Sequence, residues 1–240
     1  MANFNTHISI AAVGSGLTAT ALLKVGQVSE ADALLLAFFG TLGGILPDID
    51  LKYSYPSRML FSFFAILAAF AAVFSLQEKF AIAELWLTAA GVFLAVRYPL
   101  WMIFHNFTTH RGAIHSLAAA ALFLFMITTL GYYAFGKSAL LAWLGGFFVF
   151  GGFILHLLLD ELYSVDFVGN QIKRSFGSAF KIIDFKQWIS SLLIAVLAAM
   201  FWLLTPPTDT LEEFAGRHTR QLLSERFFPE DGWFGTSLAR

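Results

Sequence analysis

Seven long apolar segments constrain this chain more than any other feature of its sequence. A helix that crosses a membrane needs about 20 mostly apolar residues, and its backbone polar groups must bond within the helix. The segments are Ile8–Leu23, Ala31–Leu46, Met59–Leu76, Phe80–Phe104, Ala113–Phe135, Ala139–Leu159 and Trp188–Leu204. They predict an all-α, multi-pass transmembrane bundle of about six to seven membrane helices. The first two segments are short, so they could instead form a hairpin that does not fully cross.

Composition supports the same class of protein. Hydrophobic residues make up 58% of the chain and charged residues 13%, whereas a typical soluble domain is about 25% charged. The net charge of −1 offers no bulk attraction for nucleic acid, so we expect no nucleic-acid partner. Cysteine is absent, so a metal would have to bind His, Asp, Glu or backbone oxygens. The start lacks a basic region, which predicts that there is no cleavable signal peptide.

The chain divides by polarity into a membrane domain, residues 1–205, and a polar tail, residues 206–240. Within the tail, Thr210 and Glu213 have the spacing of a capping box, which predicts a helix through about Arg226. Small residues in the membrane segments predict close helix packing. These are Gly40 and Gly44 in the second segment, and Gly145, Gly146, Gly151 and Gly152 in the sixth.

Basic residues are distributed unequally between the two sides of the predicted bundle. The side of the N-terminus holds Lys52, Arg58, Arg111, Lys173, Arg174, Lys181 and Lys186. The short loops opposite hold Lys24, Lys79 and Lys137. Because cytoplasmic loops are enriched in Lys and Arg, the first side is predicted to be cytoplasmic.

Histidine and aspartate residues stand at the ends of several apolar segments. They are His7, Asp48, Asp50, His110, His115, His156 and Asp160. Two segments separate each group from the next, and an even number of crossings returns the chain to the same face. The pattern therefore predicts that all seven lie on one side of the membrane as a metal cluster.

The number and spacing of these residues indicate more than one metal ion. His156 and Asp160 are four residues apart and share a helix face. Four histidines and three aspartates exceed the four ligands of a tetrahedral zinc, so two or three ions are expected. Taken singly, each residue could be only a helix cap or a solvated loop residue. His105 either supports a metal ligand or lies at the membrane interface. His218 lies in the tail, where it is expected to be solvated, so it is not a candidate ligand.

Two arginines are candidates for binding an anionic substrate. Arg111 lies between His110 and His115, and Arg97 lies inside the fourth segment, where an unpaired charge is costly. A guanidinium group suits phosphate oxygens, so both are predicted to be catalytic. The alternative for Arg97 is a structural salt bridge to one of the aspartates.

The ordered set of motifs resembles a known family. His7, Pro47-Asp48-Ile49-Asp50, the His110-Arg111-Gly112 motif with His115, and the His156–Asp160 pair resemble the YdjM-type family of bacterial inner-membrane metal-dependent hydrolases. The resemblance covers roughly residues 1–205, and the family is similar to zinc-dependent phospholipase C and P1-type nucleases. It implies a protein of the bacterial inner (cytoplasmic) membrane that hydrolyses phosphoesters with two or three Zn²⁺.

We therefore expect a membrane-bound phosphoester hydrolase whose metal site faces the cytoplasm. A site at the bilayer surface favours a lipid phosphate as substrate, and Mn²⁺ is an alternative to Zn²⁺. Two other classes remain open. A divalent-metal transporter would use the same residues as a transport site, although such sites normally lie near the bilayer midplane. A membrane interaction protein would hold the metal for structure only, in a closed coordination shell.

Overall fold

The computed structural model is all-α, as the apolar segments predict. It describes residues 3–52, 54–108, 112–166, 171–172 and 180–229. The helices are α1 Phe4–Lys24, α2 Glu30–Gly43, α3 Tyr55–Leu76, α4 Ile82–Ala95, α5 Trp101–Phe107, α6 Leu117–Tyr133, α7 Ala139–Leu162, α8 Trp188–Leu203, α9 Asp209–Phe214 and α10 Arg217–Phe227. Two very short strands, β1 Val165–Asp166 and β2 Gln171–Ile172, pair antiparallel.

Every apolar segment that the sequence predicts is helical. Among the residues that the structure describes, five helices are long and apolar enough to cross a membrane. They are α1, α3, the continuous stretch Ile82–Asn106, α7 and Phe185–Leu203. The other two, α2 and α6, extend about 21 and 26 Å at 1.5 Å per residue. Both lengths fall short of the ~30 Å hydrocarbon layer of a bilayer.

The fourth membrane helix is continuous but irregular. Helices α4 and α5 are joined by a π-helical turn, Val96–Leu100, which contains Pro99. Proline lacks a backbone N–H and collides with the preceding turn of a regular α-helix. A local π turn gives the backbone the extra room that the ring needs.

Two compact units can be recognised. The first comprises the described residues within Met1–His7, Ile45–Ala119 and His156–Val196. The second comprises those within Ile8–Gly44, Ala120–Leu155 and Leu197–Arg240.

Glycines allow backbones to approach closely in the second unit. A Cβ atom at Gly152 would lie 2.8 Å from the Gly44 nitrogen. A Cβ atom at Gly43 would lie 2.8 Å from the Val149 carbonyl carbon. Helices α2 and α7 therefore pack backbone against backbone, which confirms the close packing predicted at Gly44 and Gly152. Gly151 differs, because a Cβ atom there would meet open space.

The fifth predicted segment begins later than expected, at Leu117 and not at Ala113. The hydroxyl of Ser116 accepts a hydrogen bond from the Ala119 N–H, as an N-cap residue does. The Leu117 N–H donates to the Lys181 carbonyl, which holds the preceding residues out of the helix. His115 consequently lies in a turn ahead of α6.

The tail forms two short helices where one was predicted from Thr210 to Arg226, so that prediction was wrong. Helix α9 begins at Asp209, with Thr208 at the N-cap position, and Thr210 lies within its first turn. Gly216 is extended, and a Cβ atom there would lie 2.7 Å from the Glu213 carbonyl oxygen. Glycine is a poor helix former, so the break before α10 follows from this residue.

Candidate metal centre

The first unit brings together the predicted ligands that the structure describes. His7, His156 and Asp160 form one group of metal-binding side chains, and Asp48, His115 and His156 form another. In each group the donor atoms lie within 4.8 Å of one another. Since His156 belongs to both groups, the five residues form one continuous cluster.

Local structure places each of these side chains. His7 lies in the first turns of α1, which begins at Phe4, and not ahead of the helix as predicted. Asp48 lies in a separate 3₁₀ turn, Leu46–Asp50, in which Pro47 occupies one of the first positions. His156 and Asp160 are one turn apart near the end of α7 and point to the same side, as their spacing predicts.

The separations of the donor atoms fit a shared metal ion better than direct hydrogen bonds. His7 Nε2 lies 3.4 Å from Asp160 Oδ1, and His156 Nε2 lies 3.7 Å from Asp48 Oδ1. Hydrogen bonds of this type are usually 2.7–3.2 Å long. Two ligands of a tetrahedral zinc, each about 2.0–2.1 Å from the ion, are roughly 3.3 Å apart. The nitrogen and oxygen donors are also those that zinc accepts without cysteine.

Burial makes this cluster costly without a cation. His7, His156 and Asp160 are each at most 3% exposed. The Nδ1 atom of His7 is buried and has no hydrogen-bond partner within the described residues. Burial raises the pKa of the Asp48 carboxyl, and Asp160 and Asp50 raise it further against the opposing effect of His115 and His7. A bound divalent cation would offset the repulsion between the carboxylates.

Asp50 has a different position from Asp48. Its Oδ2 lies 3.1 Å from His115 Nδ1, and both side chains are buried. An ionised carboxylate only accepts hydrogen bonds, so Nδ1–H donates to Asp50 and the lone pair of His115 lies on Nε2. Histidines that bind metals are commonly oriented by a carboxylate in this way. Asp50, predicted as a ligand, is thus placed to orient His115.

His105 belongs to a separate buried network. Ser57 Oγ lies 2.9 Å from His105 Nε2 and accepts a hydrogen bond of 3.1 Å from Trp101 Nε1. Its own hydroxyl proton is then available for His105, so the network joins α3 to α5. The sequence predicts that His105 either supports a metal ligand or lies at the membrane interface. No motif in the sequence indicates that Ser57 and Trp101 are its partners.

Three predicted site residues remain to be placed, namely His110, Arg111 and Arg97. His110 and Arg111 fall outside the residues that the structure describes. Arg97 lies in the π turn, with its guanidinium carbon 5.2 Å from the centre of the Tyr98 ring. Among the described residues no carboxylate forms an ion pair with Arg97, so none of the described aspartates is the salt-bridge partner that the alternative requires. Its predicted catalytic role stays a prediction.

Comparison with known proteins agrees with the resemblance of the motifs. The model of the YdjM inner membrane protein family matches residues 1–205, which include all of the predicted ligands. No curated protein and no solved structure is significantly similar to the chain. The match extends over well more than half of the sequence, so the chain belongs to the YdjM inner membrane protein family.

Proposed function

We propose that this protein is a membrane-bound, metal-dependent hydrolase that cleaves a phosphoester of a membrane lipid. The observation that carries the proposal is the pair of overlapping donor groups that share His156. Sites with two or more adjacent metal ions are typical of enzymes that transfer phosphoryl groups. A purely structural zinc site needs only four ligands.

The donor set favours two or three Zn²⁺, with Mn²⁺ as the alternative. His7, His156 and Asp160 would hold one ion, and Asp48 and His115 would hold a second. The neutral imidazole of His156 has one free lone pair, so His156 would bind only one of the two ions, although it lies within reach of both. Such ions activate water for attack and neutralise the developing negative charge on phosphate. Asp50 keeps the His115 ring in the required tautomer and orientation. Arg111, and Arg97 if it reaches the site, would bind phosphate oxygens.

A lipid phosphate is the favoured substrate because three of the five ligands belong to membrane helices. His7 lies on α1, and His156 and Asp160 lie on α7, and both helices are long and apolar enough to cross a bilayer. The ligands lie near the ends of these helices, where lipid headgroups are found. Phospholipids and polyprenyl phosphates both present a phosphoester at this depth.

The protein purified in mild detergent is expected to contain at least two zinc ions per chain and to release phosphate or a phosphorylated headgroup from such lipids. Elemental analysis and assays on phosphatidic acid, phosphatidylglycerol and a polyprenyl phosphate would measure both. Chelation should abolish turnover, and added Zn²⁺ or Mn²⁺ should restore it. Bound metal without turnover of any of these lipids would contradict the proposal.

The orientation proposed for the site, facing the cytoplasm, can be tested with engineered cysteines. The wild-type chain has no cysteine and is therefore its own blank. Phe180 and Glu78 are both exposed and lie in loops that the predicted topology assigns to opposite sides of the membrane. An impermeant maleimide applied to cells with a permeabilised outer membrane should label Glu78→Cys and not Phe180→Cys. Labelling of Phe180→Cys alone would place the metal centre on the other face.

A further inference from the structure

The turn that carries His115 is held by a segment that is distant in the sequence. This turn, residues 113–116, lies directly ahead of α6, and all four of its residues are buried. Residues 181–187, which we call the strap, contact it. Ala113 in the turn and Gln187 in the strap are paired although they are 74 positions apart. The turn and the strap both belong to the first unit.

The strap accepts hydrogen bonds from the backbone on both sides of His115. Ahead of this residue, the Ala113 N–H donates to Gln187 Oε1 over 3.1 Å. Beyond it, the N–H groups of the first two residues of α6 donate to strap carbonyls over 2.9 and 3.1 Å. These pairs are Leu117 with Lys181 and Ala118 with Ile182. The position of the His115 backbone is therefore set by the strap.

Asp184 holds the strap in shape and connects it to α8. Its carboxylate accepts hydrogen bonds from Lys181 Nζ over 2.8 Å and from the Lys186 N–H over 2.9 Å. The Asp184 N–H donates to Ser191 Oγ, whose own hydroxyl donates to the Asp184 carbonyl. Ser191 lies in α8, within a stretch that is long and apolar enough to cross a membrane. The strap is thus supported by a membrane helix.

The contact with Gln187 depends on a side chain, whereas the other two use backbone carbonyls that almost any residue supplies. Ala113 is 2% exposed, so water cannot replace a lost acceptor for its N–H. This N–H lies two residues before His115. The His115 ring contacts Asp50 and belongs to one donor group with Asp48. A shift of the turn would therefore displace a ring nitrogen that we expect to bind metal.

We propose that Gln187 is a positioning residue of the metal centre, because it holds the His115 ring where an ion shared with Asp48 requires it. This inference rests on the function proposed above, since it assumes that the donor groups bind metal. Asp50 orients the ring itself, whereas Gln187 fixes the backbone from which the ring extends. Distances from a metal to its ligands vary by only about 0.2 Å, so a small displacement of the turn weakens binding.

This role predicts a defect that is selective for one ion. His7 and Asp160 extend from α1 and α7, and neither residue belongs to the turn or to the strap. The ion that they would hold should bind as in the wild type when the contact with Gln187 is lost. A general loss of stability would instead weaken the binding of both ions together.

Substitutions at position 187 separate the hydrogen bond from the size of the side chain. Gln187→Met keeps the length of the side chain but removes the acceptor, so the Ala113 N–H loses its partner. Gln187→Glu keeps an acceptor oxygen at the same distance from the backbone and should behave as the wild type. Gln77→Met is the control for the same substitution, because Gln77 is exposed at the end of α3 in the same unit.

The test titrates Zn²⁺ into the full-length protein, stripped of metal by a chelator in mild detergent, with calorimetric detection. Wild type, Gln187→Glu and Gln77→Met should bind two ions with the same affinities. Gln187→Met should bind one ion about tenfold more weakly and the other unchanged. In the metal-free protein, hydrogen exchange followed by mass spectrometry should be faster at residues 113–118 in Gln187→Met than in wild type.

Equal affinities of Gln187→Met and wild type for both ions would overturn the proposal. Equal weakening of both ions would also overturn it, and so would a Gln187→Glu protein as defective as Gln187→Met. If Gln187→Met does not fold, Gln187→Asn provides the same test, because its side chain is one carbon too short to reach the Ala113 N–H. Gln187→Asn should also bind one ion about tenfold more weakly.

The titration needs no turnover, so this proposal and the proposed hydrolase can fail separately. A wild-type protein that binds two ions but hydrolyses no lipid would overturn the hydrolase alone, and a selective defect in Gln187→Met would still support the role of Gln187. An active wild type with an unaffected Gln187→Met would overturn the role of Gln187 alone.

Discussion

Replacing His156 by alanine is expected to remove most of the bound metal and to lower phosphoester hydrolysis at least about 100-fold. His156 is 1% exposed and is the residue that both donor groups share. Asp160 belongs to one group only, so Asp160→Ala should retain more metal than His156→Ala. Elemental analysis of the three proteins, purified side by side, would measure this order.

The control for this change is His218→Ala. His218 is exposed in α10, so its loss should alter neither the metal content nor the activity. A symmetrical elution peak and an unchanged helical circular dichroism spectrum would show that His156→Ala is folded. Zinc content in folded His156→Ala equal to that of the wild type would refute the assigned cluster.

Gly152→Val is expected to destabilise the protein severely, by about 3 kcal/mol or more, because the added atoms meet backbone. A Cβ atom at Gly152 would lie 2.8 Å from the Gly44 nitrogen and 2.9 Å from the Gly40 carbonyl carbon. Neither atom is the end of a flexible side chain, so one helix must move. Thermal unfolding in detergent, followed by circular dichroism, would measure the loss as a lower Tm.

The neighbouring glycine provides a matched control. Gly151→Val adds the same side chain to the same helix, where a Cβ atom meets open space. The change in helix propensity is the same in both variants because each replaces a glycine of α7 by valine. The difference between their Tm values therefore reports the contact with α2. Equal Tm values for the two variants would contradict the close packing of α2 and α7.

Much of the fold could be predicted from apolar runs alone, because a membrane allows few alternatives to the helix. The convergence of the ligands was also predictable, since His7, Asp48 and His156 are separated by even numbers of apolar segments. That argument needs only the parity of the crossings. It requires the chain to return to the same face after α1 and α2, and the closeness of the donor atoms shows that it does, although α2 has only 14 residues.

The finer roles within the cluster could not be predicted, because they depend on side-chain geometry. Asp48 and Asp50 are equivalent in the sequence, yet Asp48 joins a donor group and Asp50 contacts His115. Their separation by two residues in a 3₁₀ turn points the two side chains in different directions. The pairing of Ser57 with His105, 48 residues apart, had no local signal at all.

Helix α7 couples two requirements that are chemically unrelated. Gly152 makes the backbone contact with α2, and His156, one turn further, supplies the shared ligand. Each residue inserted between them would rotate the ligands by about 100° around the helix axis relative to the glycine. A change in the length of this stretch would therefore alter the geometry of the ligands relative to the glycine, which a substitution within it would not do. The spacing of four residues is a constraint separate from the identity of the residues that fill it, of which Phe153 is fully buried.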